Sequence, residues 1–133
     1  RQQAGCAQRR EKYQPGLSTS GRGTMAQEIA RTVVEQIYPN ADFLLDLHGG
    51  DVNEAMTPLV FYPATAAPDV TAQAKAAAQH LEVMYRIPST VQNGLYSYAA
   101  QCGIPALLME VGGMPPIRNR MDITLRRMTD GVI

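Results

Sequence analysis

The chain has 133 residues, enough for one domain with a real core and too few for two. Its 12 Lys and Arg balance 12 Asp and Glu, which argues against a strong nonspecific pull toward nucleic acid or an anionic membrane. Hydrophobic residues make up 45% of the chain, yet no run approaches the ~20 consecutive apolar residues of a bilayer span. A soluble protein without nucleic-acid or membrane partners is expected, and homo-oligomerisation stays open.

The two cysteines, Cys6 and Cys102, lack metal-type spacing, and two such thiols are expected to stay reduced inside a cell, in keeping with a cytoplasmic location. The first residue is Arg1, and "RQQAGCAQRREK" has no apolar signal-peptide core. The sequence therefore reads as a piece of a longer chain, with residues 1–23 forming a loop-rich segment through "YQPGLSTSGRG".

Thr24 can cap a helix with Gln27 at its third position, and Met25, Ile29, Val33 and Ile37 recur every four residues, so a helix is predicted over 24–37, ended by Pro39-Asn40. "DFLLDL", 42–47, is a short apolar run between turn residues, the pattern of a strand covered on both faces. "PLVFY", 58–62, is a second strand candidate. After Pro68-Asp69, the residues Val70, Ala74, Ala77, Leu81 and Met84 mark the face of a helix that should stop before Pro88. "NGLYSYAAQCG" predicts a short helix closed by Gly103, and "IPALLMEV" a buried strand ending at Gly112-Gly113. Ile117, Met121, Leu125 and Met128 return to helical spacing. Met25, Met84, Met121 and Met128 are expected in the core, and Arg118, Arg120, Arg126 and Arg127 on a solvated helix face. Alternating strands and helices imply an α/β fold, a mainly parallel or mixed sheet flanked by helices.

Chemistry in such folds gathers beyond the carboxyl ends of the strands. Two predicted strands end in able side chains, "LLDLH" at His48 and "LLME" at Glu110, each followed closely by a glycine pair, Gly49-Gly50 and Gly112-Gly113. Small residues there let a substrate approach the backbone. Asp46 lies two residues before His48, so the two side chains share a face of the strand. Read singly, His48 is a satisfied strand-end histidine and Glu110 an acid meeting solvent; read together, they form a candidate catalytic pair. Asn53 and Glu54 line the mouth of a cleft or cap a turn.

"ADFLLDLHGGD" and "GIPALLMEVGG", the second preceded by "YSYAAQC", resemble the succinylglutamate desuccinylase/aspartoacylase family of the zinc carboxypeptidase clan, over most of the chain from "YQPG" onward. The resemblance implies a zinc-dependent hydrolase that cleaves the amide of an N-acyl amino acid or related small molecule. His48 then matches the third zinc ligand, Glu110 the catalytic acid/base and Tyr96 a tyrosine near substrate, with Gly49 and Gly50 lining the substrate and Asp46 orienting the imidazole from behind.

The departures are specific. The family's H-x-x-E zinc pair is absent, so those ligands are expected upstream and this fragment alone should be inactive. "HGGD" imitates that motif only if His80, placed mid-helix as a surface residue, were the third ligand. "REKYQPG" offers at best Arg10 or Lys12 where the family has an Asn-Arg pair, and Ala100 stands where aspartoacylase has a carboxylate-binding arginine, with Arg86 a further replacement candidate. The family's small C-terminal β domain is missing, which makes residues 1–133 a single, incomplete catalytic domain. A peptide carboxypeptidase and a catalytically degenerate binding or structural module are the competing readings.

Overall fold

The computed structural model describes residues 24–50 and 56–111. The segment 1–23, Asp51, Asn53, Glu54, Gly112-Gly113 and the helix predicted over 117–128, with its methionines and arginines, lie outside the described residues.

The predicted capping box is present: the Thr24 hydroxyl accepts from the Gln27 N–H at 3.3 Å, and the Gln27 side chain accepts from the Thr24 N–H at 2.8 Å. Helix α1, Met25–Thr32, runs on through a π-helical turn, Val33–Ile37, into a 3-10 turn at Tyr38–Asn40. The expected Met25-Ile29-Val33-Ile37 stripe does not form a buried face, because Met25, Ile29 and Ile37 are exposed. An i→i+5 turn advances the helix surface by about one residue. Val33, Val34 and Tyr38 consequently meet the core.

Strands β1 (Leu44–His48), β2 (Leu59–Pro63), β3 (Tyr85–Ser89) and β4 (Ala106–Glu110) form one sheet in the order β1-β4-β2-β3. β1 runs parallel to β4 and β2 parallel to β3, while β2 and β4 are antiparallel. The sheet is thus mixed and mostly parallel. At its start β1 is covered on both faces as its sequence suggested, Leu44 packing into one core and Leu45 into the other. Among the described residues it lies at one end of the sheet, and towards its carboxyl end Leu47, like Phe43 just before the strand, is exposed.

Helix α2, Pro68–Gln79, buries Val70, Ala74 and Ala78. It stops earlier than its apolar spacing implied: Leu81 is buried beyond the helix, whereas Met84 is exposed rather than in the core. The following strand β3 was missed because it contains Pro88. On an edge strand a proline is tolerated, since only one side must supply ladder donors. Arg86 of β3 turns back to cap α2, with Nε donating to the Ala78 carbonyl at 2.7 Å and Nη2 to that of Leu81.

Helix α3, Leu95–Gln101, ends in a left-handed Gly103, φ 92°, where the Gly103 N–H bonds the Ala100 carbonyl and the Ile104 N–H that of Ala99. That closure needs a residue without a Cβ penalty, as the sequence indicated. Cys102, which caps α3, is disulfide-bonded. The expectation of two reduced thiols is corrected by that bond.

The two sheet faces carry separate cores. Val60, Leu107 and Met109 pack with Ala74, Ala78 and Leu81 on the α2 side; Ala106 packs with Tyr38, Tyr96, Ala99 and Cys102 on the α3 side. Alanines on both helices allow close approach, and each fully buried Leu, Met or Val contributes roughly 1.5–3 kcal/mol. No helix among the described residues is long and apolar enough to cross a membrane.

Candidate active site

Parallel pairing of β1 with β4 sets Leu44 opposite Ala106 and, four residues on, His48 opposite Glu110. Because side chains alternate along a strand, Leu44, Asp46 and His48 share one face with Ala106, Leu108 and Glu110. Leu44, Ala106 and Leu108 belong to the core beside α3, which places the polar trio on the α3 side at the carboxyl ends of the two strands. The ladder continues past the trio, where the Val111 N–H donates to the His48 carbonyl at 3.0 Å.

The imidazole lies between two acids, with Nε2 3.2 Å from Asp46 Oδ1 and Nδ1 3.4 Å from Glu110 Oε1. The His48 side chain is 48% exposed, against 11% for Asp46 and 17% for Glu110. The histidine is therefore open to an incoming molecule while its two acids are mostly sheltered. A neutral ring has a single N–H and can serve only one carboxylate as a donor; the cationic ring serves both. Either way, Asp46 restrains one nitrogen and Glu110 stands beside the other.

Behind Asp46 sits Tyr38, whose hydroxyl donates to the Leu95 carbonyl at 2.6 Å and whose ring lies 6.2 Å from that of Tyr98. Burial, then Tyr98, then the charge of Asp46 push the Tyr38 phenol well above its ordinary range. The Tyr98 hydroxyl is buried and makes no hydrogen bond among the described residues. This aromatic floor was not found from the sequence. Its signal was faint: Tyr38 follows Val34 by four residues and so extends the side of the helix that turns inward.

Tyr96 lies in the core beside α3, buried with Tyr38 and Ala99. Ala100 is buried too. Gly49 and Gly50 follow β1 directly, and a Cβ on Gly49 would meet only the Val111 carbonyl oxygen at 3.6 Å, an ordinary contact. His80 is an exposed cap at the end of α2 rather than a mid-helix residue, and it sits on an element remote in sequence from the trio. Arg86, a candidate for holding a substrate carboxylate, is committed instead to the carbonyls of Ala78 and Leu81. Arg10 and Lys12 lie outside the described residues.

A catalytic zinc takes three protein ligands and leaves one position open. Among the described residues no group of three His, Cys, Asp or Glu side chains could hold a metal ion. The donor set fits one ligand position, the His48 imidazole, and does not fit a complete zinc site.

No curated protein matches the chain. Solved structures do. A succinylglutamate desuccinylase/aspartoacylase from Rhodobacter sphaeroides is 27% identical with a TM-score of 0.58, the match covering 76% of this chain and 29% of that one. A succinylglutamate desuccinylase from Silicibacter sp. TM1040 is 25% identical with a TM-score of 0.66, covering 81% and 36%. The ectoine utilization protein EutE (DoeB) from Ruegeria pomeroyi, in a product-bound structure, shares the fold at 22% identity and a TM-score of 0.66, covering 84% and 37%. The chain thus spans about a third of the length of these relatives. The model of the succinylglutamate desuccinylase/aspartoacylase catalytic domain matches residues 9–132, nearly the whole chain, and the chain belongs to that family.

Proposed function

We propose that this chain carries the general-base part of an amide-hydrolysing site for an N-acyl amino acid or a related small amide. One observation carries the reading: His48 and Glu110 stand opposite each other on adjacent parallel strands, 3.4 Å apart, where α/β folds receive ligands. Membership of a deacylase family supports it.

In this reading Glu110 accepts a proton from the water that adds to the amide carbonyl carbon. It returns that proton to the nitrogen as the C–N bond breaks, giving a carboxylate and a free amine. Glu110 is mostly sheltered, so few competing waters reach its oxygens. Asp46 fixes the ring of His48 from the side away from Glu110 and keeps its orientation when a ligand enters. Zinc, which the family typically uses, would polarise the carbonyl and acidify the water, with His48 as one ligand and the others supplied from outside the described residues. Gly49 and Gly50 are assigned to the substrate side by resemblance; the resemblance assigns Tyr96 there too, although its side chain is buried in the core beside α3. With Ala100 where a carboxylate-binding arginine stands in aspartoacylase, and Arg86 occupied, neutral acyl groups should be accepted as readily as acidic ones.

The test is turnover of a panel of acylated amino acids and short peptides by the intact protein supplied with zinc. Glu110→Gln should lower turnover by roughly 10²–10⁴-fold while leaving metal content unchanged. A variant retaining more than about a tenth of wild-type turnover would remove Glu110 from the role. Cleavage confined to C-terminal peptide bonds would favour a carboxypeptidase, and no cleavage at all a non-catalytic module.

A further inference from the structure

The register that pairs His48 with Glu110 continues across the sheet. Glu110 stands opposite Leu59 at the start of β2, and Leu59 stands opposite Tyr85 at the start of β3. Residues paired in this way project to the same face, so His48, Glu110, Leu59 and Tyr85 form one row on the α3 side. Phe61 and Ile87 pair with each other two residues further along β2 and β3. The core contacts confirm the face: Phe61 and Leu108 pack beside α3, while Arg86, next to Tyr85, reaches the opposite way to the end of α2.

Neighbouring strands lie about 4.8 Å apart, which puts Leu59 one such spacing from Glu110 and Tyr85 about 10 Å from it. The row is therefore polar at its His48 end and apolar beyond Glu110. Leu59 is partly buried and Tyr85 is 50% exposed, so the apolar end is open to an incoming molecule. Among the described residues, the α3-side positions of the four strands carry no lysine or arginine. A side-chain carboxylate laid over Leu59 and Tyr85 would approach Glu110 without a cation from the sheet, whereas an apolar group there gains by leaving water.

The proton transfer sets which half of the substrate lies there. In the reaction proposed above, on which this inference rests, Glu110 returns a proton to the amide nitrogen, so that nitrogen comes within hydrogen-bond reach of Glu110. With His48 on one flank of Glu110, the group carried by the nitrogen has the Leu59–Tyr85 flank before it.

We propose that Leu59 and Tyr85 form the subsite for the amine half of the substrate, and that it takes the side chain of an apolar or aromatic amino acid in preference to an acidic one. Tyr85, at the far end of the row, is the specificity-determining residue, because only a long side chain reaches its ring.

Turnover by the intact protein with zinc, the acyl group held constant as acetyl, tests it. N-acetyl-L-phenylalanine and N-acetyl-L-leucine should exceed N-acetyl-L-aspartate in kcat/KM by roughly tenfold or more. Tyr85→Ala should lower the phenylalanine value several-fold more than that of N-acetylglycine, chiefly through KM, while Tyr85→Phe keeps the preference and Tyr85→Arg shifts it toward aspartate. A preference for aspartate in the wild-type protein overturns the proposal. So does an apolar preference that survives Tyr85→Ala, or one that follows the acyl chain when the amine is held as glycine. Failure of hydrolysis itself is read separately, by saturation-transfer NMR from the protein to free L-phenylalanine. If no amide is cleaved, transfer to the ring that is lost in Tyr85→Ala upholds the subsite and removes only the hydrolytic reading, and absence of transfer overturns the subsite as well.

Discussion

Replacing Leu107 and Leu47 by alanine, one at a time, separates a core position from an edge position within the same pair of strands. Leu107 on β4 is 1% exposed, while Leu47 on β1 is 40% exposed. Each change deletes three carbons. At about 0.8 kcal/mol per buried carbon the transfer loss at Leu107 is ~2.4 kcal/mol, and the cavity left against Val60 and Ala74 raises it to about 3–4 kcal/mol. At Leu47 the same loss scales with the buried fraction to ~1.4 kcal/mol, and no closed cavity forms because the position opens to water. Urea unfolding followed by circular dichroism measures both. With a slope of about 1–3 kcal/mol/M, Leu107→Ala should lower the midpoint by more than twice the shift of Leu47→Ala, at unchanged slope. Equal shifts would mean that Leu47 is as buried as Leu107, and its reading as an open position towards the carboxyl end of β1 would fail.

Arg86→Met keeps most of the side chain's bulk but removes two charged donors from the carbonyls of Ala78 and Leu81, so it should cost about 1–2 kcal/mol and leave substrate preference unchanged; a selective loss of acidic substrates would return Arg86 to the site. Tyr38 is held neutral more strongly when folded than when unfolded. Above a phenol's ordinary value near 10 the unfolded chain therefore binds fewer protons than the folded one, and stability should fall as pH rises through that range. Tyr38→Phe should flatten this alkaline decline while costing about 1 kcal/mol at neutral pH through the lost bond to Leu95; an unchanged alkaline slope refutes the assignment. Finally, Cys102 should resist a thiol reagent in the folded protein until a reductant is added, and labelling without reductant would show that the disulfide does not persist in solution.

The sequence by itself determined the local events. Thr24 with Gln27 set the start of α1, Gly103 closed α3, and the apolar run at 106–110 gave the buried strand, because caps, left-handed glycines and hydrophobic runs act over a few residues. It also singled out Asp46, His48 and Glu110 as chemically able strand ends. Their meeting depended on strand order. Adjacency of β1 and β4 and the register that sets His48 opposite Glu110 arise from pairing between segments about sixty residues apart, which no local spacing encodes. The same long-range choice put β1 at one end of the sheet among the described residues, made Pro88 acceptable in β3, and drew Arg86 to the end of α2. Apolar spacing reports which residues can be buried. Only the packing of the sheet and its helices decided which of them are.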